Sequence, residues 1–355
     1  MRQILIALVL VSLSLVVLEV VRAVAGPRER PTANPRELGH VGWLRGFDAA
    51  LETARRDNKP LLVLFDEVPG CATCTGYGDN VLRHPLVVEA AETLFVPVAV
   101  YNNAPGDDER TLKSFDEPAW NNPVVRIVDS QRKDIVPRLD GDYTVGGLVR
   151  TMVTALEKSD RSVPAYLRLL AEESTARSGK LERAAFGMHC FWEGEGKLGD
   201  IPGVVATQPG FLGGVEVVDV AFDARRIDFA DLVAKATKMQ CATRVFCRTD
   251  AQQKAASRGE VSATRSDEPI RPDREPKYYL AQTPLRHVPM TELQACRVNA
   301  AVGRQRDPKP FLSPRQIGLL DAVTKRPDVG WPNAIATRDL VKAWSDATDI
   351  ARRSH

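Results

Sequence analysis

The apolar and polar positions of the first half of the chain predict a sheet covered by helices. Residues 44–60 carry apolar side chains at helical spacing and end in charged residues and a proline, which is typical of an amphipathic helix. The continuous apolar run at 61–65 predicts a fully buried strand, and residues 145–157 predict a closing helix. Three more segments have the composition of strands: 94–101, 121–129 and 135–144.

The second half alternates strands and helices in a different order. Strand patterns, one of them ending in a glycine-rich turn, occupy residues 182–188, 201–214, 215–223 and 243–247. One helix is predicted after Cys190 and an amphipathic helix at 224–239. This βαβ-βαβ order predicts a ferredoxin-like α/β sandwich. Residues 260–276 are charged and rich in proline and predict a loop, while two helices that pack on the domains are predicted at 312–323 and 336–353.

With 355 residues, the chain is long enough for two ordinary domains and a tail. The fold class is α/β, with a helical C-terminal tail. The predicted limits are 1–25 for a signal peptide or membrane anchor, 26–40 for a linker, 41–160 for the first domain, 178–290 for the second and 291–355 for the tail.

The N-terminal segment predicts export. An uncharged stretch runs from Ile4 to Leu18, short of the roughly 20 apolar residues that a membrane-spanning helix needs. Ala23-Val24-Ala25 before Gly26 has the small-x-small pattern of a signal-peptide cleavage site. Periplasm or cell envelope is therefore the expected location, and cleavage and retention as a membrane attachment both stay open.

Charge and cysteine content narrow the function. Lys and Arg number 48 against 46 Asp and Glu, so there is no electrostatic reason to expect a nucleic-acid partner. Six cysteines in an exported chain point to redox chemistry, although an even count also suits three structural disulfides.

The first candidate site is a C-x-x-C motif. Cys71 and Cys74 follow the buried strand on a turn that leads into a helix at about 74–82. Unpaired N–H groups and the helix dipole favour a thiolate there, so Cys71 can attack a disulfide while Cys74 resolves the mixed intermediate. A structural disulfide and half of a zinc site are the alternatives, but no second ligand pair lies nearby in the sequence. No metal or other cofactor is expected.

This first half resembles the thioredoxin family over residues 41–158. Val68-Pro69-Gly70-Cys71 is similar to the motif of the VPGUxxT thioredoxin-like selenoproteins, with cysteine in place of selenocysteine and Cys74 in place of the threonine. The resemblance implies a thioredoxin-like fold in which Pro123 follows a cis peptide bond and faces the dithiol.

The second candidate site is Cys190 with its two aromatic neighbours, Phe191 and Trp192. Residues 182–282, including the segment 276–280, resemble the A-type peptide methionine sulfoxide reductases. The matching motifs are Gly187 to Trp192 for G-x-G-C-F-W, Pro202-Gly203-Val204 for P-G-V, and Gly213 to Val218 for the strand that carries the family's glutamate.

The resemblance implies a mechanism. A thiolate at Cys190 attacks the sulfoxide sulfur, Glu216 is kept protonated by burial and donates its proton to the sulfoxide oxygen, and Phe191 and Trp192 hold the S-methyl group. Methionine is released and Cys190 remains as a sulfenic acid, which a second thiol condenses to a disulfide. The candidates are Cys296, Cys241 and Cys247, with Cys296 first because the family's resolving cysteines usually lie in a C-terminal extension. The Cys71/Cys74 pair would then reduce that disulfide within the same molecule.

Three functions stay open at this point, because the family's tyrosine-bearing segments have no counterpart in this chain. The first is reduction of methionine sulfoxide in oxidised proteins or peptides, with an external thiol or thioredoxin-type electron donor. The second is a general disulfide reductase whose second domain is degenerate and binds substrates or partners. The third is a redox-responsive binding module.

Overall fold

The computed structural model describes residues 34–353, apart from 258, 260, 336 and 338. The predicted signal or anchor segment, 1–25, and the linker up to residue 33 lie outside the described residues. Within the described range, no helix combines the length and the apolar character that a bilayer crossing requires.

The first sheet has three strands in the order β2-β1-β3, with β2 parallel and β3 antiparallel to β1. All six residues of β1 are buried, as the apolar run predicts. The strands are β1 Leu61–Asp66, β2 Val96–Tyr101 and β3 Val124–Val128. The helices are α1 Phe47–Asp57, α2 Ala72–Tyr77, α3 Pro85–Leu94, α4 Asp107–Ser114, α5 Val145–Lys158 and α6 Ala165–Ser178.

Two predictions for this half are corrected. The fourth strand predicted at 135–144 is wrong, since only isolated bridges join Leu139 to Val125 and Asp134 to Val128. Pro137 lies between these bridges and has no N–H to continue the ladder. The helix predicted at 74–82 begins earlier, at Ala72, and continues as a π-helix from Gly78 to Leu82.

The second sheet has the order β8-β7-β4-β6-β5-β9. Its four central strands are antiparallel and follow the chain order β4-α7-β5-β6-α8-β7, which confirms the ferredoxin-like prediction. The elements are β4 Glu182–Gly187, α7 Phe191–Leu198, β5 Val204–Leu212, β6 Val215–Phe222, α8 Phe229–Lys238, β7 Arg244–Cys247, α9 Asp250–Ala256, β8 Ser262–Arg265 and β9 Arg271–Pro272.

The segment 260–276 is not entirely a loop. Its residues in β8 pair in parallel with β7, and those in β9 pair with β5, so the segment adds a short edge strand at each side of the sheet. The charged composition hid this pairing, because exposed edge strands tolerate charged side chains.

The described C-terminal residues form helices; the last two correspond to the two that were predicted, and the first two were not predicted. They are α10 Tyr278–Ala281, α11 Glu292–Gly303, α12 Pro314–Lys325 and α13 Leu340–Arg353. Arg315 on α12 forms ion pairs with Glu89 and Glu92 on α3, and the N–H of Leu293 donates to Glu173 on α6 at 3.0 Å. The tail therefore contacts the helix layer of the first sheet. Helix α6 lies between the two predicted domains, whose limits stay predictions.

Candidate functional site

The C-x-x-C motif is built on the end of β1 and the start of α2. Cys71 is the N-cap residue of α2 and is exposed, whereas Cys74 lies in the first turn and is buried. Both are free cysteines, and their Sγ atoms are 3.5 Å apart. One thiol therefore faces solvent, and the other lies directly behind it.

The two thiols differ in electrostatics as well as in exposure. The backbone N–H of Cys74 and then its thiol donate hydrogen bonds that lower the pKa of Cys71. Burial, followed by the neighbouring Asp66 carboxyl, raises the pKa of Cys74. These opposite shifts favour the thiolate at Cys71 and the protonated thiol at Cys74, in the order of roles predicted from the sequence.

Asp66 belongs to this site and was not identified from the sequence. It ends β1, is fully buried and accepts the N–H of Glu67 at 3.0 Å through Oδ1. Burial raises its pKa to about 7, although the Cys74 thiol acts in the opposite direction. A carboxyl with that pKa, next to a thiol that must lose a proton, can accept the proton near neutral pH. The signal in the sequence is the acidic residue that ends an otherwise apolar strand.

The loop before β3 closes the site from the other side. The Cys74 thiol donates to Asn122 Oδ1 at 2.9 Å, and the peptide bond between Asn122 and Pro123 is cis, as the resemblance implied. A second cis bond, unforeseen, precedes Pro69. The N–H of Gly70 donates to Glu37, a buried carboxylate that the sequence analysis also missed, at 2.9 Å.

One acidic side chain also approaches the two thiols. Glu67, Cys71 and Cys74 each place one ligand atom within 4.8 Å of the others. Two thiolates and one carboxylate are ligands that a zinc ion accepts. The same thiols serve either a metal or a disulfide, so the absence of a metal stays a prediction.

The second site is built on the turn between β4 and α7. Cys190 is the N-cap residue of α7 and is half-buried. The N–H of Met188 donates to the Glu216 carbonyl at 3.1 Å, which keeps the chain against β6 beyond the end of the strand. The N–H of Phe191 then donates to Glu216 Oε2 at 3.0 Å. The thiol and the carboxyl group predicted to act together are thus held at the same helix start, although Glu216 is half-buried and not buried as predicted.

Aromatic rings surround this helix start. Phe191 is buried and contacts Phe211 edge to face, with ring centroids 5.2 Å apart. Trp192 stacks on Tyr278 with centroids 4.2 Å apart and an interplanar angle of 11°. Its Nε1 donates to Asp273 Oδ2 at 3.3 Å. The predicted substrate-binding residues therefore form part of an aromatic cluster.

Tyr279 is a second tyrosine supplied by the segment after β9. Its ring contacts that of Tyr278 edge to face at 5.7 Å and covers Gly196 of α7. Burial raises the pKa of Tyr279, and the negative charge of a Cys190 thiolate adds to that shift. A phenol thus lies within electrostatic range of Cys190. The family resemblance covers this tyrosine, but only the fold shows that it approaches the thiol.

Beneath α7 lies a buried ion pair. Lys277 Nζ donates to Glu195 Oε1 at 2.7 Å and to the Thr207 carbonyl at 2.6 Å, and the Lys277 N–H donates to Glu195 Oε2 at 2.6 Å. This network fixes the segment that carries Tyr278 and Tyr279 against the helix that begins at Cys190.

The three candidate resolving cysteines are all buried. Cys296 lies on α11 with its Sγ 3.4 Å from Thr207 Oγ1. Cys247 ends β7 opposite Ala184, and burial raises its pKa to about 11. Cys241 lies between α8 and β7, and burial raises its pKa to about 11 as well. Cys247 lies at the end of β7 remote from the Cys190 turn, and Cys296 packs beside Gly199 at the other end of α7.

The two sites are separate. The structure brings Cys71, Cys74 and Pro123 together, and it brings Cys190, Glu216, Phe191 and Trp192 together. Among the described residues, no hydrogen bond or ion pair joins the surroundings of Cys71 to those of Cys190.

Comparison with known proteins agrees with this division. Residues 42–130 match a family model described as thioredoxin-like. Among curated proteins, the peptide methionine sulfoxide reductase MsrA of Geobacter metallireducens is 34% identical, over 15% of this chain and 44% of the relative. MsrA of Methanococcus maripaludis strain C7 is 33% identical, again over 15% and 44%, and that of Rhodospirillum centenum is 36% identical, over 15% and 32%. The chain spans less than half the length of these relatives.

Two solved structures are also similar in part. The DsbH oxidoreductase is 19% identical with a TM-score of 0.30, covering 38% of this chain and 97% of that chain. Methionine sulfoxide reductase A of Corynebacterium diphtheriae is 20% identical with a TM-score of 0.25, covering 30% and 76%. The chain therefore contains a thioredoxin-like domain and, in addition, a region that resembles MsrA in sequence.

Proposed function

We propose that this chain is a thiol-dependent oxidoreductase that reduces methionine sulfoxide in proteins or peptides at Cys190. The observation that carries the proposal is the geometry of the α7 start, where Cys190 caps the helix and the next N–H holds the Glu216 carboxyl. The partial sequence similarity to MsrA supports the same reaction.

The reaction balances with these two groups alone. The Cys190 thiolate attacks the sulfur of the sulfoxide while Glu216 protonates its oxygen. This attack forms a bond between the two sulfurs; that bond and the sulfoxide S–O bond then break as the protonated oxygen passes to the Cys190 sulfur. Methionine, reduced by two electrons, is released, and Cys190 becomes a sulfenic acid. Trp192 and Phe191 provide apolar surface for the S-methyl group, and the Tyr279 phenol is a further donor for the developing negative charge.

The first domain supplies the reducing step in this proposal. The Cys71 thiolate attacks a disulfide formed at the second site, and Cys74 displaces the product while Asp66 takes its proton. An external thiol or thioredoxin-type donor returns the Cys71/Cys74 pair to the dithiol. Since the N-terminal segment predicts export, the expected substrates are oxidised proteins of the periplasm or cell envelope, with membrane attachment left open.

The test uses the full chain, a methionine sulfoxide peptide and dithiothreitol, with methionine peptide quantified by mass spectrometry. Cys190→Ser is expected to abolish product formation. Glu216→Gln is expected to reduce the rate by about 100-fold or more, as loss of a general acid does. The matched control is Glu275→Gln, an exposed carboxylate in the same half of the chain, which should retain the wild-type rate. Wild-type activity in Cys190→Ser would overturn the proposal.

A second function is favoured by Cys71, whose exposed thiol has a lowered pKa whether or not the second site is active. It is general disulfide reduction, with the second domain binding substrates or partners. Insulin reduction by the wild-type chain, without any methionine formed from the sulfoxide peptide, would support this function over the first.

A further inference from the structure

Of the three buried cysteines in the second half of the chain, we propose that Cys241 is the one that forms a disulfide with oxidised Cys190. This inference rests on the proposed function, because the sulfenic acid at Cys190 is the product of sulfoxide reduction. The Cys241 sulfur attacks the Cys190 sulfur, the S–O bond breaks, and the oxygen leaves as water with the proton of the thiol. The resulting disulfide is the substrate of the Cys71/Cys74 pair.

The register of β4 and β7 places Cys190 and Cys241 at the same end of the sheet. Strands β4 and β7 are antiparallel, and their last pair at this end is Gly187 opposite Arg244. The backbone N–H of Thr243 still donates to the Gly187 carbonyl at 2.8 Å, so the two chains stay adjacent beyond that pair. Cys190 lies three residues after Gly187, and Cys241 lies three residues before Arg244. Both cysteines therefore leave the sheet at the same end of two neighbouring strands.

Hydrogen bonds to one backbone carbonyl place Cys241 beside the face of α7 that continues from Cys190. Glu193 and Lys197 lie three and seven residues after Cys190, so the three side chains share one side of the helix. Lys197 Nζ donates to the Met239 carbonyl at 3.2 Å, and the Cys241 thiol donates to the same carbonyl at 3.4 Å. Cys241 thus lies beside the face of α7 that Cys190, Glu193 and Lys197 share.

The Cys241 thiol is buried in the core that also contains the neighbours of Cys190. Cys241 belongs to the same hydrophobic cluster as Phe191, which follows the nucleophile, and Met188, two residues before it; Cys247 is a further member, so this cluster alone does not distinguish the two cysteines. Its thiol is 2% exposed, so bulk solvent and external oxidants have little access to it. Burial raises its pKa to about 11, and the Lys197 ammonium acts in the opposite direction. The resting side chain is therefore a protected thiol with a cation close by.

Cys296 and Cys247 lie too far from Cys190 to form a disulfide with it. A Cβ on Gly199 would lie 3.3 Å from the Cβ of Cys296, and Gly199 is nine residues after Cys190. Nine residues of helix rise about 13 Å, whereas a disulfide needs Cα atoms within about 7 Å. Cys247 is three residues beyond Arg244 in the direction away from Cys190, which adds about 10 Å of strand.

The experiment uses the full chain carrying Cys71→Ser and Cys74→Ser, so that any new disulfide belongs to the second half. One equivalent of methionine sulfoxide peptide is added without reductant, and disulfides are mapped by mass spectrometry. We expect a Cys190–Cys241 disulfide and the loss of two free thiols. With Cys241→Ser or Cys241→Ala, we expect a dimedone-reactive sulfenic acid at Cys190 and one methionine per chain.

Matched variants and a second oxidant decide the outcome. Cys247→Ser and Cys296→Ser should form the Cys190–Cys241 disulfide as the parent does. A disulfide from Cys190 to Cys247 or Cys296, or a persistent sulfenic acid in the parent, would overturn the inference. If the peptide yields no methionine, the proposed function fails, and hydrogen peroxide then oxidises Cys190 directly. A Cys190–Cys241 disulfide under peroxide would sustain the pairing, and its absence would refute it.

Discussion

Cys71 and Cys74 are three residues apart, yet their thiols lie in opposite environments. Cys71 caps a helix in solvent and accepts hydrogen bonds, whereas Cys74 is buried between the cis-proline loop and Asp66. An exposed thiolate and a buried thiol are what attack and resolution require in turn. The exposure of each sulfur therefore favours Cys71 for attack and Cys74 for resolution.

Alkylation tests this difference directly. Because the pKa of Cys71 is lowered and that of Cys74 is raised, iodoacetamide at pH 7 should modify Cys71 at least about tenfold faster than Cys74. The measurement is time-resolved peptide mapping of the reduced full chain. Cys247, which is buried with a raised pKa, serves as the internal unreactive reference. Equal rates at Cys71 and Cys74 would contradict the assignment of roles.

Asp66 gives a second prediction, on stability. Its pKa of about 7 in the folded chain lies above the ordinary carboxyl value of 3.8, so the native state binds the proton more tightly than the unfolded state. The stability that this group contributes is present below pH 4 and is lost as the pH rises to 7. Asp66→Asn should therefore be more stable than wild type at pH 8, by up to about 4 kcal/mol, and equal to it at pH 4.

Chemical denaturation of both chains at several pH values measures this effect. The same variant should slow insulin reduction, because Cys74 then lacks its proton acceptor. A stability difference that stays constant between pH 4 and pH 8 would show that Asp66 does not titrate in the folded chain.

At the scale of elements, helix α7 depends on the segment 276–281 that packs against it. Lys277 and Glu195 have side chains only 9% and 0% exposed, and Tyr278 stacks on Trp192 from the same segment. A buried ion pair adds little net stability, but removal of one partner leaves a buried charge. The ion pair therefore determines the position of the tyrosines more than it determines the stability of the fold.

Lys277→Met tests the cost of leaving Glu195 buried without its partner. It should destabilise the second half by about 3–5 kcal/mol, because Glu195 is left buried without its cation. Lys277→Met combined with Glu195→Gln should recover part of the loss, since no unpaired charge remains. The measurement is urea denaturation of both variants beside wild type. A double variant no more stable than Lys277→Met would refute the explanation by an unpaired charge.

At the scale of the whole molecule, one contact between the halves is made by α6, in addition to those of the C-terminal tail with α3 and α6. Arg225 follows the end of β6, where Phe222 pairs with Glu182 at the start of β4. Its Nη2 donates to the carbonyl of Thr175 on α6 at 2.8 Å. Cys190 follows the opposite end of β4, about 17 Å away along a six-residue strand. This contact therefore holds the end of the second sheet that is remote from Cys190.

In contrast to the route within one molecule that the sequence analysis expects, this placement of the contact predicts that the dithiol reaches Cys190 of another copy. One variant carries Cys71→Ser and Cys74→Ser, and the other carries Cys190→Ser. With a thioredoxin-type donor, a mixture of the two should reduce the sulfoxide peptide, although neither variant does so alone. The rate of the mixture should rise with protein concentration. An inactive mixture, together with a wild-type turnover number unaffected by dilution, would instead show transfer within one molecule.

Much of the candidate site was predictable because its signals are local. A buried strand followed by a helix places Cys71 and Cys190 at helix starts, and the cis bond before Pro123 followed from the resemblance. The strand predicted at 135–144 was wrong because Pro137 interrupts pairing that depends on a neighbouring strand. The edge strand β8 was missed for the converse reason, since its partner β7 and not its composition makes it a strand.

The sequence by itself determined the two helix-capping thiols, the C-x-x-C spacing and the central strands of both sheets, because hydrophobic period and capping are fixed within a few residues. Only the tertiary structure decided that Asp66 lies behind Cys74, that Tyr279 approaches Cys190, and that Cys241 leaves the sheet beside it. These contacts join residues up to 89 positions apart, and such proximity depends on strand register and packing, which no local pattern contains.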